Sequence, residues 1–256
     1  MPERDRRPVR GHVHIARRVQ ALLAAAALLA GGCGSGEQGA AGPAPPAPGG
    51  DGDQLVVAAL GDSITAGNPG FDPDPAQRRA LGFGDDERSQ YEYWAERTNR
   101  RLEILNCGVF GERTDEIAAR LEGCVEQAAG AEALIVQGGI NDIAQGRPLA
   151  DAAADLRGMV ERGKELGFEV ALTEVLPWNN GHPLADQPIA ELNRLIAAIG
   201  REQSITVLGF HDALEDPRRP GLMGATLTSD GDHPSIEGYR RLGELTAAAL
   251  APLATD

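Results

Sequence analysis

The sequence predicts an α/β domain, a parallel sheet of five strands covered by helices on both faces. From Gln54 onward, short β-rich apolar runs alternate with longer amphipathic ones, the order that strand–helix–strand units require. Each apolar run leads into a loop containing Gly, Asn, Pro or His, and the stretches between repeat their apolar residues at helical spacing. No internal repeat competes with this reading.

The strands are predicted at Leu55 to Leu60, Leu102 to Cys107, Ala133 to Gln137, Glu169 to Val175 and Ile205 to Phe210. After the first strand, Asp72 to Gln90 is polar, contains Pro and Gly and has no clear period, so it is expected to be a surface insertion at the ligand-binding edge of the sheet. Helices are expected at Tyr91 to Arg100 and Thr114 to Gln127. Leu156, Met159 and Val160, and then Ile189, Leu192, Leu195, Ile196 and Ile199, mark two more, each with one buried stripe. The last helix, Ser235 to Leu250, opens on Ser235 as N-cap with Glu237 in its first turn.

Composition narrows the partners. Lys+Arg 24 against Asp+Glu 38 leave a formal net charge of -14, which argues against nucleic acid. With Cys 3 in 256 residues a disulfide scaffold is excluded, and the CxxC spacing of zinc or redox sites is absent. Residues 1–32 read as an export signal: an Arg-rich stretch ending at Arg17 and Arg18, apolar Ala21 to Ala30, then Gly31 and Gly32 before Cys33. Residues 33–53 are almost wholly Gly, Ala, Pro and acidic, a composition that buries too little apolar surface to fold and is expected to act as a tether. Residues 54–256 form the domain.

The chemistry is expected at strand ends. The first strand runs into Gly61-Asp62-Ser63-Ile64-Thr65, which places a hydroxyl where a turn exposes it and a helix N-terminus favours negative charge. The second ends in Asn106-Cys107-Gly108-Val109-Phe110-Gly111 and the third in Gly138-Gly139-Ile140-Asn141-Asp142. Asp230-Gly231-Asp232-His233 precedes the last helix. The Gly-x-Ser-x-Gly elbow of α/β-hydrolases is not met, because Thr65 stands at its second Gly. Nucleotide binding is discounted, since Asn106 stands at the first Gly of the dinucleotide fingerprint and Lys164, the only Lys, lies late in a helix.

Four blocks in this order resemble the SGNH hydrolases, also called GDSL esterases, over nearly all of Leu55 to Leu250. The resemblance implies a three-layer, flavodoxin-like fold and a serine esterase without a metal or other cofactor. By it Ser63 is the nucleophile, His233 the base and Asp230 its orienting carboxylate. Oxyanion donors are then the backbone N–H of Ser63 and Gly108 and the side-chain amide of Asn141, while Asp62, Asn106 and Asp142 brace the backbone. Ala30-Gly31-Gly32-Cys33 likewise resembles a bacterial lipobox, which implies diacylation of Cys33 and a lipid anchor in the cell envelope. The alternative is an ordinary signal releasing a secreted or periplasmic protein.

Other readings stand beside these. Asp230, Asp232 and His233 offer metal ligands, though without the acidic ladder of a calcium loop. His211, beside Asp212, is the rival base, and His182 is expected to line the pocket or face water. Cys107 and Cys124 are either a bridge in an exported domain or two buried thiols. The expected substrate is a small or medium acyl ester, then an O-acetylated carbohydrate of the envelope. Trp178 and Trp94 are the few stacking candidates, and Arg78, Arg79 and Arg88 the groups able to reverse the acidic field locally. Rival functions are lysophospholipase or thioesterase, O-acyltransferase, and a non-catalytic binding lipoprotein.

Overall fold

The computed structural model describes residues 54–254. The export signal, the lipobox with Cys33 and the tether lie outside the described residues. Strands β1 (Leu55–Gly61), β2 (Leu102–Gly108), β3 (Ala133–Val136), β4 (Glu169–Thr173) and β5 (Thr206–Leu208) form one sheet in the order β2-β1-β3-β4-β5. All four pairings are parallel.

This is a flavodoxin-like sheet whose strand order reverses at β1, the crevice where open α/β sheets hold ligands. β1 shows why both faces must be covered. Leu55, Val57 and Ala59 pack into one core with α3 (Tyr91–Thr98), α9 (Phe210–Leu214) and α10 (Ile236–Leu250). Ala58 and Leu60 point the other way, into a core with α4 (Thr114–Ala119), α5 (Leu121–Gln127), α7 (Leu149–Glu165) and α8 (Asp186–Gln203). Each fully buried Leu or Ile in these layers contributes about 1.5–3 kcal/mol of burial free energy. Ser235 caps α10 as expected, its hydroxyl accepting from the Gly238 N–H at 3.2 Å.

The register brings the strand ends level. Gly61 lies opposite Gly108, and Leu60 opposite Val136. The loops that follow β1, β2 and β3 therefore leave the sheet at one edge. β1 is followed by α1 (Ser63–Ala66), and the expected insertion at 72–90 contains α2 (Pro75–Leu81) and a 3-10 turn at Glu87–Ser89. α2 starts at Pro75 because Asp74 caps it, accepting from the Ala76 N–H at 2.7 Å.

Three expectations change. The helix expected over Thr114 to Gln127 is two helices, broken at Arg120, where the backbone N–H turns to the Ile117 carbonyl at 3.1 Å. The guanidinium of Arg120 is pulled to Glu112 at 2.6 Å and to the carbonyls of Cys107 and Gly61. β5 stops at Leu208, because Phe210 opens α9 and buries its ring edge-on against Tyr91. A hairpin of β6 (Glu215–Asp216) and β7 (Arg219–Met223) follows, in a stretch too polar to announce strands. The third-strand loop carries α6 (Ile140–Ala144).

One buried carboxyl among the described residues has no partner on either oxygen. Glu92 on α3 is 2% exposed and neither carboxylate oxygen has a protein partner, so burial pushes its carboxyl well above the usual range. The folded state therefore keeps a proton that the unfolded chain releases above its ordinary pKa of about 4.3. Stability contributed by this neutral form is full below that pH and is lost as pH rises. Glu92→Gln, which is neutral throughout, should raise Tm at pH 8 and change it little at pH 4. A Tm difference that is the same at both values would refute this account.

Candidate active site

Ser63 is the first residue of α1, directly past β1, and it is 5% exposed. Its turn is pinned from two neighbours. Gln137, just beyond β3, accepts at Oε1 from the Asp62 N–H (3.1 Å), the Thr65 N–H (3.3 Å) and the Thr65 hydroxyl (2.9 Å). Asn106, inside β2, donates to the Thr65 carbonyl at 2.7 Å and to Gln90 Oε1 at 2.9 Å. Asp62 caps α1, one carboxylate oxygen accepting from the Ile64 N–H at 2.9 Å. Its other oxygen is buried without a protein partner. Burial raises the Asp62 carboxyl to about 6, against the pull of the Ile64 N–H.

A hydrogen-bonded chain then runs from Ser63 across 170 positions. His233 Nε2 lies 3.1 Å from Ser63 Oγ, and His233 Nδ1 lies 2.8 Å from Asp230 Oδ2. The three-residue spacing works because the loop folds on itself, Asp230 Oδ1 accepting from the N–H of Asp232 (2.9 Å) and of His233 (2.7 Å). Partial burial alone would raise the Asp230 carboxyl. The His233 ring and these two N–H groups outweigh it and hold the group below the ordinary carboxylate value.

The donors around Ser63 differ from expectation at one position. The Gly108 N–H, expected to face an oxyanion, is committed to Asn106 Oδ1 at 2.9 Å. Gly108 is glycine because a Cβ there would overlap the backbone of Ala66. Three residues on, Gly111 has φ +79° and an N–H that donates to no protein group among the described residues. The same holds for the Ser63 N–H. Asn141 Nδ2 donates one hydrogen to the Glu112 carbonyl at 2.9 Å, which ties the Gly111 turn to α6 and leaves its second hydrogen free. Gly111 is the second Gly of the block after β2, so its position was on view in the sequence while its role was not.

Asp142, adjacent to Asn141, is fully buried and satisfied. It accepts from the Thr114 N–H (3.0 Å) and hydroxyl (2.9 Å) and pairs with Arg147 at 2.7 Å, which also reaches Asp155 at 2.7 Å. Cys107 and Cys124 are joined by a disulfide with Cα atoms 5.9 Å apart.

The remaining candidates lie elsewhere or do other work. His211 donates its backbone N–H to Glu174 at 3.2 Å and sets its ring 3.6 Å from Asp212, with no bond to Ser63. With Asp212 and Glu215 it forms a surface cluster whose ligand-type atoms lie within 4.8 Å of one another. His182 pairs with Asp186 at 2.9 Å on the surface. Trp178 donates to Asp232 at 2.5 Å, and Trp94 to the Arg88 carbonyl at 2.8 Å. Arg78 donates to the Asp72 carbonyl and Arg88 pairs with Asp86.

The family model described as GDSL-like Lipase/Acylhydrolase matches residues 59–241. A protein assigned to the G-D-S-L lipolytic family from Desulfitobacterium hafniense DCB-2 is similar in structure, with TM-score 0.62 and 24% identity, over 76% of this chain and 98% of that one. The lipase/acylhydrolase of Enterococcus faecalis gives 0.60 and 22%, over 78% and 96%. An acetyl-xylooligosaccharide esterase of Geobacillus gives 0.60 and 20%, over 76% and 93%. No curated protein sequence matches.

Asp142 and Asn141 should separate stability from chemistry. Asp142→Ala takes one of two carboxylates from Arg147, which keeps Asp155, and leaves the buried Thr114 N–H without an acceptor, so it should cost about 2 kcal/mol in urea denaturation, whereas Asn141→Ala should cost under about 1 kcal/mol. Equal losses would show that the Asp142 network does not carry the fold of this edge.

Proposed function

The chain belongs to the GDSL-like lipase/acylhydrolase family, and from that premise we propose that it is a serine esterase acting through an acyl-Ser63 intermediate. The observation that carries the reading is the chain Ser63 Oγ, His233 Nε2, His233 Nδ1, Asp230 Oδ2, at 3.1 and 2.8 Å. His233 takes the hydroxyl proton as Ser63 Oγ bonds to the ester carbonyl carbon, and the carbonyl π electrons move onto oxygen. When the tetrahedral intermediate collapses, the bond to the alcohol breaks and His233 returns the proton to the leaving oxygen. Water then repeats the sequence on the acyl-Ser63, releasing the acid. Asp230 keeps the Nδ1 proton on the far side of the ring, so that Nε2 is the basic nitrogen. The unspent N–H groups of Ser63, Gly111 and Asn141 are the donors for the oxyanion.

A small or medium acyl ester suits the surroundings best, with O-acetylated carbohydrate next. Phe110, beside Gly111, is 44% exposed and packs at 5.2 Å on Phe83 of the 72–90 insertion, an apolar wall in an otherwise acidic protein. Arg78 and Arg88 are engaged within the insertion, so little offsets the net negative charge toward anionic substrates. Export with a lipid anchor on Cys33 is part of the proposal, and the Cys107–Cys124 bridge supports an oxidising compartment.

An active-site fluorophosphonate should label wild type and spare Ser63→Ala and His233→Ala. Asn141→Ala should lower kcat by about 10²- to 10³-fold. Asp230→Asn should be milder than His233→Ala. p-Nitrophenyl esters of rising chain length, run beside acetylated xylo-oligosaccharide and lysophospholipid, identify the acyl and alcohol. Folded wild type that resists the fluorophosphonate would defeat the esterase reading, and labelled fatty acid incorporated equally by wild type and Cys33→Ala would defeat the anchor.

A further inference from the structure

Asp230 and His233 sit on a loop that no strand or long helix contains, yet His233 must meet a hydroxyl on the turn that follows β1. Within the loop the bonds are self-contained. Thr228 Oγ1 accepts from the Gly231 N–H at 2.8 Å and donates to the His233 carbonyl at 2.9 Å, while Asp230 Oδ1 gathers the N–H of Asp232 and His233. These bonds fix Asp230 against His233. They do not fix either group against Ser63.

That second constraint comes from the segment leaving β4. Trp178 Nε1 donates to Asp232 Oδ1 at 2.5 Å, and Asn180 Nδ2 donates to the same oxygen at 2.7 Å and to the Asp230 carbonyl at 3.0 Å. Between them the Asn179 N–H donates to the Gly231 carbonyl at 3.0 Å. The segment is itself anchored, because Asn179 Oδ1 accepts from the Met223 N–H at 2.6 Å at the end of the hairpin. Asp232 is therefore the one side chain of the loop that the rest of the protein grips by two donors, and both donors come from the segment leaving β4.

We propose that Asp232 is a positioning residue. Its carboxylate, gripped by Trp178 and Asn180, sets the distance from the His233 ring to Ser63 and leaves the Asp230–His233 alignment to the loop itself. The proposal rests on the esterase reading and deepens it. Its consequence is a separation of two quantities that usually move together. Losing the grip should reduce the fraction of time His233 spends in reach of Ser63, which lowers kcat. It should not change the partner of Nδ1, so the apparent pKa of the base should stay where it is.

The test compares Asp232→Ala, Asp232→Asn and Trp178→Phe with wild type on p-nitrophenyl acetate, with pH profiles, Tm and fluorophosphonate titration of intact sites. Asp232→Ala should lose about 10- to 100-fold in kcat, the scale of a misplacement near 1 Å, with KM within about twofold and the acid limb of kcat/KM unmoved. Asp232→Asn keeps an oxygen that accepts from both donors and should stay within about threefold of wild type. Trp178→Phe keeps the ring, loses one donor and should fall between the two. Wild-type kcat in Asp232→Ala would overturn the proposal. So would Asp232→Asn falling as far as Asp232→Ala, which would make the charge and not the hydrogen bonds the operative feature. An acid limb that moves in Asp232→Ala would also overturn it, by placing Asp232 in direct electrostatic contact with the base. Wild type that takes no fluorophosphonate would fail the esterase reading itself, whereas labelled wild type with an indifferent Asp232→Ala fails only this inference.

Discussion

The level register of β1 with β2 and β3 is the constraint on which the site depends. Gly61 opposite Gly108 and Leu60 opposite Val136 bring three loops out of the sheet together, so side chains far apart in sequence start within one short reach. A slip of one residue would do more than displace them. In a strand buried on both faces it would exchange Val57 and Ala59 with Ala58 and Leu60, putting each set into the wrong helical layer. Packing of the two cores thus holds the geometry of the edge. Gln137 and Asn106 then convert strand register into side-chain position, since each grips the turn that carries Ser63 from a different neighbouring strand.

How much of this was legible in the chain follows from what each signal depends on. The five strands could be read because burial on two faces leaves continuous apolar runs, and α7 and α8 because one buried face leaves a helical period. The break at Arg120 could not, because its cause is the reach of a guanidinium to Glu112, Cys107 and Gly61, none of which its own helical pattern encodes. The hairpin after Leu214 escaped for a different reason, its residues being Glu, Asp, Pro and Arg in place of an alternating apolar series. At the site, the identities of Ser63, Asp230 and His233 were on view and their convergence was not. Gly108 and Gly111 stand three positions apart in one motif, and only the hydrogen bond from Gly108 to Asn106 assigns one to packing against α1 and leaves the other with a free N–H.

Three carboxylates near the site divide by their surroundings. Asp142 is as buried as Asp62, but Thr114 and Arg147 satisfy it, so it ties α6 to α4 and α7. Asp230 is the most exposed of the three and is stabilised as an anion by donors from its own loop. Asp62 has a single N–H on one oxygen and nothing on the other, and burial raises it toward neutrality. In the proposed esterase, the carboxylate beside the His233 ring is thus one that donors of its own loop hold below the ordinary carboxylate value. The Asp62 carboxyl, next to Ser63, is the one that burial raises, to about 6.

The disulfide belongs to the same logic. β2 is one of the two edge strands, paired on one side only, and an edge strand frays most readily at its end. Its end here has to present the Gly111 N–H at a fixed place. Cys107 joins that end covalently to α5, and Arg120 reaches back from the junction of α4 and α5 to the carbonyls of Cys107 and Gly61. From the opposite side Asn141 holds the Glu112 carbonyl. The turn between Gly108 and Thr114 is thus gripped at both ends by groups that the strand ladder does not supply.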